Sequence, residues 1–213
     1  MLATSALDDT LIDTLAQRGW VVSDELISPE LHHGLLSSCR QHWDAGDFKP
    51  AAVGKGKALA RHPRIRNDSI YWIEAEQAQG PVRQFLDWTE TLREQLNREL
   101  FAGLKSTEFH FARYPQGGVY KKHLDQHKGQ AHRSISLVLY LNQTWTDDDG
   151  GQLCLYATDD NTRELARVLP QAGRLVLFRS DLVPHAVLPC SQTRWSLSGW
   201  FRTDATLLPV APL

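Results

Sequence analysis

Cysteine is scarce in this chain: three in 213 residues. Cys39, Cys154 and Cys190 lie far apart and show no Cys-x-x-Cys spacing, which argues against a disulfide framework and a zinc ribbon and suits a reducing cytoplasm. Long apolar runs are also missing, so no stretch approaches a membrane span. The opening residues, Met1 to Asp9, have no basic region and reach Asp8 and Asp9 before any long apolar segment, so a signal peptide is not expected. Charge of one sign is lacking too. Lys and Arg number 23 against 25 Asp and Glu, a net charge of -2, which gives no general attraction to nucleic acid. No internal repeat or low-complexity tract occurs.

What the N-terminal part does contain is helical spacing. Asp8 to Arg18 places Leu11, Ile12 and Leu15 on one face, with Gly19 as the stop. Trp20 to Ser23 reads as a short strand. Ser28 caps a second helix that opens on Pro29, where a missing N–H does no harm. Its buried stripe is Leu31, Leu35, Leu36, Cys39 and Trp43. A third helix begins near Pro81 and spaces Val82, Phe85, Leu86, Leu92, Leu96 and Leu100 helically.

From about Thr107 the pattern turns to strand: residues 108–114, 119–124, 134–142, 152–156, 166–169, 174–178, 185–188 and 193–202. Many short strands separated by Gly, Pro and Asp turns predict a double-sheet jelly roll. The expected fold class is mainly β with flanking helices around a double-stranded β-helix (jelly roll) core. Residues 1–106 would supply helices, first strands and a loop packed on that core, 107–202 the core itself, and 203–213 a loose tail, all in one globular domain.

Two motif-like stretches carry nothing. Gly54-Lys55-Gly56-Lys57-Ala58 has the wrong spacing for a phosphate loop, and Ala58 stands where a hydroxyl is needed. Asp147-Asp148-Asp149-Gly150-Gly151 lacks the alternating ligands and distant Glu of a calcium loop and reads as an exposed turn.

The chemistry concentrates between Arg113 and Arg202. His123 and Asp125 flank Leu124, and on a strand such a pair shares one face. With His185 far downstream they form a two-His, one-carboxylate set that leaves coordination positions open and suits Fe(II) handling O2. Any one of these histidines taken alone is as readily a hydrogen-bonded core or surface residue. The last strand alternates Arg194, Ser196, Ser198 and Trp200 on one face with Trp195, Leu197 and Phe201 on the other. A guanidinium facing a barrel interior needs a carboxylate, which a ligand can supply if the protein does not. In residues 134–142, Ile135, Leu137, Leu139 and Leu141 oppose Ser136, Val138 and Tyr140. Tyr140 either adds a hydroxyl to the same anion or keeps it in water.

Several of these phrases together resemble one family. Ala112-Arg113-Tyr114-Pro115, Gly118 to Asp125, Leu139-Tyr140-Leu141-Asn142 with Trp145 and Gly150-Gly151, Phe178 to Asp181 leading to Pro184-His185, and Arg194 look like the catalytic domain of Fe(II)- and 2-oxoglutarate-dependent prolyl hydroxylases. The phrasing is closest to the hypoxia-inducible-factor type and its bacterial relatives. Ile65 to Glu74 resembles that subgroup's segment before the core, so the likeness covers about Phe48 to Arg202.

The resemblance implies His123, Asp125 and His185 as Fe(II) ligands. Arg194, Tyr140, Tyr114 and Ser196 would bind 2-oxoglutarate, and Trp200 would lie beside the metal. Arg66, Asp68, Trp72, Tyr120 and Trp200 become the implied substrate-binding residues, with Tyr71 an alternative to Trp72. O2 as co-substrate, ascorbate as accessory reductant, a role in oxygen sensing and a cytoplasmic location come with the likeness. It also implies a basic finger-like loop between Phe48 and Asp68 folding over a protein substrate with an exposed prolyl loop, elongation factor Tu being the candidate, with no nucleic-acid or membrane partner. Three rivals are a 2-oxoglutarate oxygenase of a free amino acid or other small molecule, a nucleic-acid demethylase, and a non-catalytic jelly-roll binding module. Affinity for the metal should fall in acid, because its ligands must be deprotonated.

Overall fold

The computed structural model describes residues 6–51, 65–126, 132–160 and 162–204. Most of the basic loop, including Gly54 to Ala58, and the tail beyond residue 204 lie outside them. Helix α1 (Asp9–Arg18) is capped by Asp8, whose side chain accepts from the Leu11 N–H, and it stops at Gly19 with φ +78°. Strand β1 (Trp20–Ser23) follows, then α2 (Pro29–Asp44), where the Ser28 hydroxyl accepts from the Leu31 N–H. Strands β2 (Lys49–Pro50) and β3 (Ser69–Trp72) precede the long helix α3 (Gly80–Leu100). The core strands are β4 (Ser106–Tyr114), β5 (Tyr120–His123), β6 (Arg133–Tyr140), β7 (Leu153–Tyr156), β8 (Glu164–Val168), β9 (Leu175–Arg179), β10 (His185–Val187) and β11 (Arg194–Arg202).

Among the described residues these make two antiparallel sheets. The larger runs β1-β9-β6-β11-β4-β3-β2 and the smaller β5-β10-β7-β8. From β4 to β11 consecutive strands alternate between the sheets except for the β7-β8 hairpin, the arrangement of a jelly roll. Period-two alternation then decides which side chains face which layer. Phe109, Phe111, Ile135, Leu137, Leu139, Leu197 and Phe201 face the helices and pack against Leu35, Phe85, Leu92 and Leu96. Ala112, Tyr114, Tyr140, Val176 and Phe178 face the smaller sheet and meet Leu153, Leu155, Val168 and Val187. Each of these fully buried side chains contributes about 2 kcal/mol by leaving water.

The faces expected for residues 134–142 and 194–201 are therefore the faces observed. One expectation needs correcting. His123 ends β5, and Asp125 lies past the strand rather than on it. The chain has left the smaller sheet there: the Gln126 N–H donates to Ser180 O at 3.1 Å, and the Asp125 carboxylate is reached by Ser136 of β6. Asp125 is thus placed by bonds to the opposite sheet, not by strand pleat.

The pairing of β11 with β4 is close enough to fix one residue type. A Cβ on Gly199 would stand 2.1 Å from the Glu108 carbonyl oxygen and 2.8 Å from the Phe109 Cα, both backbone atoms that cannot swing away. Gly199→Ala is expected to cost about 2–3 kcal/mol through forced strand separation, read as a lowered urea midpoint. A midpoint matching the parent chain would show that β4 and β11 have slack.

Candidate active site

The three proposed ligands converge. His123 and His185 are directly paired across β5 and β10, and Asp125 Oδ1 lies 3.5 Å from His123 Nε2 and 3.6 Å from His185 Nε2. His123 Nδ1 donates to Lys121 O at 2.7 Å, and His185 Nδ1 to Val183 O at 3.0 Å. Spending Nδ1–H on backbone carbonyls fixes the tautomer and leaves each Nε2 lone pair aimed at the shared carboxylate. The other Asp125 oxygen accepts from the Ser136 hydroxyl at 2.6 Å, and Ser136 bonds in turn to Ser180 Oγ at 2.8 Å. Burial alone would raise the Asp125 carboxyl, but the two imidazoles and Ser136 outweigh it and hold it well below the usual carboxylate range. Burial, reinforced by His123, pushes His185 down to about 4. One atom from each residue can reach one ion: two neutral imidazoles and an anionic carboxylate, the donor set Fe(II) accepts.

Behind this triad Arg194 opens β11, directly opposite Tyr114 of β4. It is 2% exposed. Its Nε donates to Gly151 O at 3.0 Å, and its Cζ lies 5.0 Å and 4.9 Å from the rings of Tyr114 and Tyr140. Among the described residues no carboxylate forms an ion pair with it. The Tyr140 hydroxyl is buried, and among the described residues it makes no well-formed hydrogen bond, the Arg194 guanidinium being its polar neighbour. A buried cation without an anion, beside a buried hydroxyl, fits the carboxylate of a bound acid. The acidic turn helps to build this corner. Its residues 147–149 form a 3-10 turn capped by Thr146 and Asp149, and Gly150 and Gly151 follow at φ +65° and +67°, bringing the Gly151 carbonyl to Arg194.

Ser196, paired with Tyr140, faces the same cavity, as do Tyr114, Tyr120, Arg66 and Trp200. Arg66 stacks over the Tyr120 ring at 4.4 Å, and Tyr120 stacks on His123 at 3.6 Å. Asp68 does not reach the cavity wall. Its carboxylate, 2% exposed as a residue, takes both Arg66 Nε and Nη2 at 2.8 Å and 2.5 Å, so it steadies Arg66 instead of offering a contact of its own. Trp72 does not line the cavity either: it is 38% exposed, with its ring against His110 and Trp200, so it is not a buried core tryptophan. Sequence reasoning missed three wall residues: Ser136, which orients Asp125, Arg133, and His110. His110 shares its face with Ala112 and Tyr114, so the β4 alternation carried the signal.

With this geometry the class is a non-haem iron oxygenase with a dicarboxylate co-substrate site. A family profile described as the 2OG-Fe(II) oxygenase superfamily matches residues 109–202. A Pseudomonas putida prolyl-4-hydroxylase structure is similar with a TM-score of 0.81 and 39% identity, covering 96% of this chain and 100% of that one. The chain belongs to the 2OG-Fe(II) oxygenase superfamily, whose members use Fe(II), 2-oxoglutarate and O2. A Trichoplax adhaerens prolyl hydroxylase solved with a hypoxia-inducible-factor peptide shares the fold, with a TM-score of 0.79 and 24% identity over 91% of this chain and 87% of that one. A curated relative, prolyl 3-hydroxylase OGFOD1 of Xenopus laevis, is 32% identical over 124 residues, 55% of this chain and 23% of that protein. The chain thus spans about a quarter of that relative's length, and 16% of the length of the Ostreococcus tauri OGFOD1 it matches.

Two buried histidines set a pH dependence. Burial, with Arg66 and Arg133 nearby, pushes His110 down to about 3, and His185 sits at about 4. Between the unfolded value near 6.5 and these folded values, the unfolded chain takes up protons that the folded chain refuses, so stability falls as pH drops through that window. Asp125, also held below its unfolded value, has the same sign, but its contribution is lost only below about pH 4 and lies outside the window. Metal-free protein is expected to lose about 2 kcal/mol per histidine between pH 7.5 and 5, measured by guanidinium unfolding. His110→Leu should remove its share of that slope, and an unchanged slope would contradict the assignment.

Proposed function

We propose that this chain hydroxylates a prolyl residue on an exposed loop of a protein substrate, with elongation factor Tu as the candidate. One observation carries the oxygenase part: Arg194, with no carboxylate partner among the described residues, lines the same cavity as the His123, Asp125 and His185 set, and Tyr140 packs beside it. The prolyl part is supported by the relatedness to the Pseudomonas putida enzyme and to the OGFOD1 proteins. The protein-substrate part is supported by the Arg66 to Trp72 segment, which puts the Arg66 cation on the cavity wall and an exposed Trp72 beside Trp200, a surface that a small molecule does not need.

In this reading His123, Asp125 and His185 hold Fe(II), while Arg194 and Tyr140 hold the distal carboxylate of 2-oxoglutarate. Fe(II) and 2-oxoglutarate, when bound, supply O2 activation with oxidative decarboxylation to succinate and CO2. The chain's own side chains orient and exclude. Arg194 presents a planar fork in a dry corner where charge-assisted hydrogen bonds are strong. Ser136 and Ser180 fix the Asp125 rotamer so that one oxygen stays free for the metal. The Arg66, Tyr120 and His123 stack couples the rim to a ligand imidazole, and Asp68 keeps Arg66 in place. Arg66, Tyr120, Trp72 and Trp200 then face the substrate. Ascorbate as reductant, response to O2 and a cytoplasmic location remain part of the same proposal.

The test is succinate formation from 2-oxoglutarate with Fe(II), with and without elongation factor Tu, and a mass spectrum of the protein for the gain of one oxygen at a prolyl residue. His123→Ala should abolish turnover. Arg194→Gln should raise the KM for 2-oxoglutarate roughly 10- to 100-fold, the worth of hydrogen bonds to a charged group. Succinate production coupled to oxidation of a free amino acid, with no oxygen gained by any protein, would overturn the protein prolyl reading.

A further inference from the structure

The two carboxylate oxygens of Asp125 are set apart by what each one meets. Oδ1 lies 3.5 Å from His123 Nε2 and 3.6 Å from His185 Nε2, so it is the oxygen placed to bind an ion between the imidazoles. Oδ2 is held by the Ser136 hydroxyl at 2.6 Å, and Ser136 Oγ lies 2.8 Å from Ser180 Oγ. Both serines are buried.

Counting protons fixes the direction of these bonds. A carboxylate that ligates a metal is ionised and only accepts, and a serine has a single O–H to give. Ser136 spends that proton on Asp125, so the second contact is Ser180 donating to Ser136. In a buried chain each bond polarises and strengthens the next. The backbone steadies the same unit. The Ser180 N–H donates to Ser134 O at 3.0 Å, and Ser180 O accepts from the Gln126 N–H at 3.1 Å. The residue after the ligand and the strand that carries Ser136 are thus both tied to Ser180.

Coordination arithmetic gives the relay a consequence. An octahedral ion held by two imidazoles and one carboxylate oxygen keeps three positions open, two for a chelating 2-oxo acid and one for O2. A carboxylate can also bind through both oxygens, and Asp125 would then take one of those three. Turning the carboxylate to do so requires Oδ2 to leave Ser136.

We propose that the Ser180–Ser136 hydroxyl relay is a denticity lock, which keeps Asp125 a one-oxygen ligand and so preserves the position that 2-oxoglutarate needs to chelate. Ser136 is then a positioning residue acting through Asp125. Its removal exchanges a hydrogen bond for a second metal–oxygen contact, so the loss falls on the co-substrate and not on the metal. The inference rests on the Fe(II) and 2-oxoglutarate site described above and adds what sets the number of positions open at it.

The test uses the full chain with Mn(II) in place of Fe(II), so that no turnover occurs. Metal binding is read from the EPR signal of free Mn(II), and 2-oxoglutarate binding to the loaded protein by calorimetry. Ser136→Ala should raise the Kd for 2-oxoglutarate about 10- to 100-fold, the worth of a hydrogen bond to a charged group, while the Kd for Mn(II) alone changes little. A crystal structure of that loaded variant should show both Asp125 oxygens on the metal. Ser136→Thr, which keeps the hydroxyl, should restore 2-oxoglutarate binding. Ser180→Ala should shift it in the same direction by less, and carries the test if Ser136→Ala does not fold. Variants that lose metal and 2-oxoglutarate together, or that bind both as the parent chain does, would overturn the lock and leave the oxygenase site standing. A parent chain that binds Mn(II) but no 2-oxoglutarate would overturn the co-substrate site and the lock with it.

Discussion

A guanidinium buried to 2% exposure, with no carboxylate partner among the described residues, is the constraint on which the site depends. Burying an unpaired charge costs several kcal/mol, and the fold meets that cost only in part. The Gly151 carbonyl takes Nε, and the Tyr114 and Tyr140 rings supply π faces. The positive φ of Gly150 and Gly151, the capped turn before them and the start of β11 at Arg194 all serve this corner. A Cβ on Gly151 would meet the Arg194 Cδ at 3.2 Å, so the backbone approaches the arginine as closely as it can. What stays unpaired faces the cavity, and in the function proposed above a dicarboxylate supplies the missing charge.

The second organising feature is the division of labour between the sheets. The smaller sheet carries both imidazoles on neighbouring strands, in register, each with Nδ1 fixed by the backbone. The larger sheet carries Arg194, Tyr140, Ser196 and the Ser136 hydroxyl that clamps Asp125. Asp125 joins them because its chain has left one sheet and already bonds to the other. Metal set and co-substrate corner are therefore held by different layers whose spacing the apolar contacts between them determine. Precise placement comes from packing of a rigid interior.

Much of this was legible in the residues. The cap at Ser28, the stop at Gly19 and the periodic stripes of α1 to α3 need only local chemistry, and they appear where the spacing puts them, with Asp8 as the cap of α1 instead of its first residue. Strand alternation sorted Arg194, Ser196, Ser198 and Trp200 from Trp195, Leu197 and Phe201 correctly, because a β-strand has only two faces and one of them is apolar. His-x-Asp proximity was legible as well, although for a different reason than strand pleat. Asp125 sits in an irregular segment whose geometry depends on Ser136, 11 positions on, and on Ser180, a further 44 beyond that. The role of Asp68 as a support for Arg66, and the position of Trp72 at the rim, depended in the same way on neighbours brought by β3 pairing with β4.

The amino-acid order by itself determined the element types, the inward face of each long strand, and the stock of two imidazoles, a carboxylate and a guanidinium, because these follow from periodicity and side-chain chemistry within a few residues. Only the tertiary structure decided that, among the described residues, no acid reaches Arg194, and that Tyr140 packs its buried hydroxyl beside that guanidinium. Pairing and burial are properties of atoms that meet across 50 to 100 residues of chain, and no local pattern records whether a partner arrives.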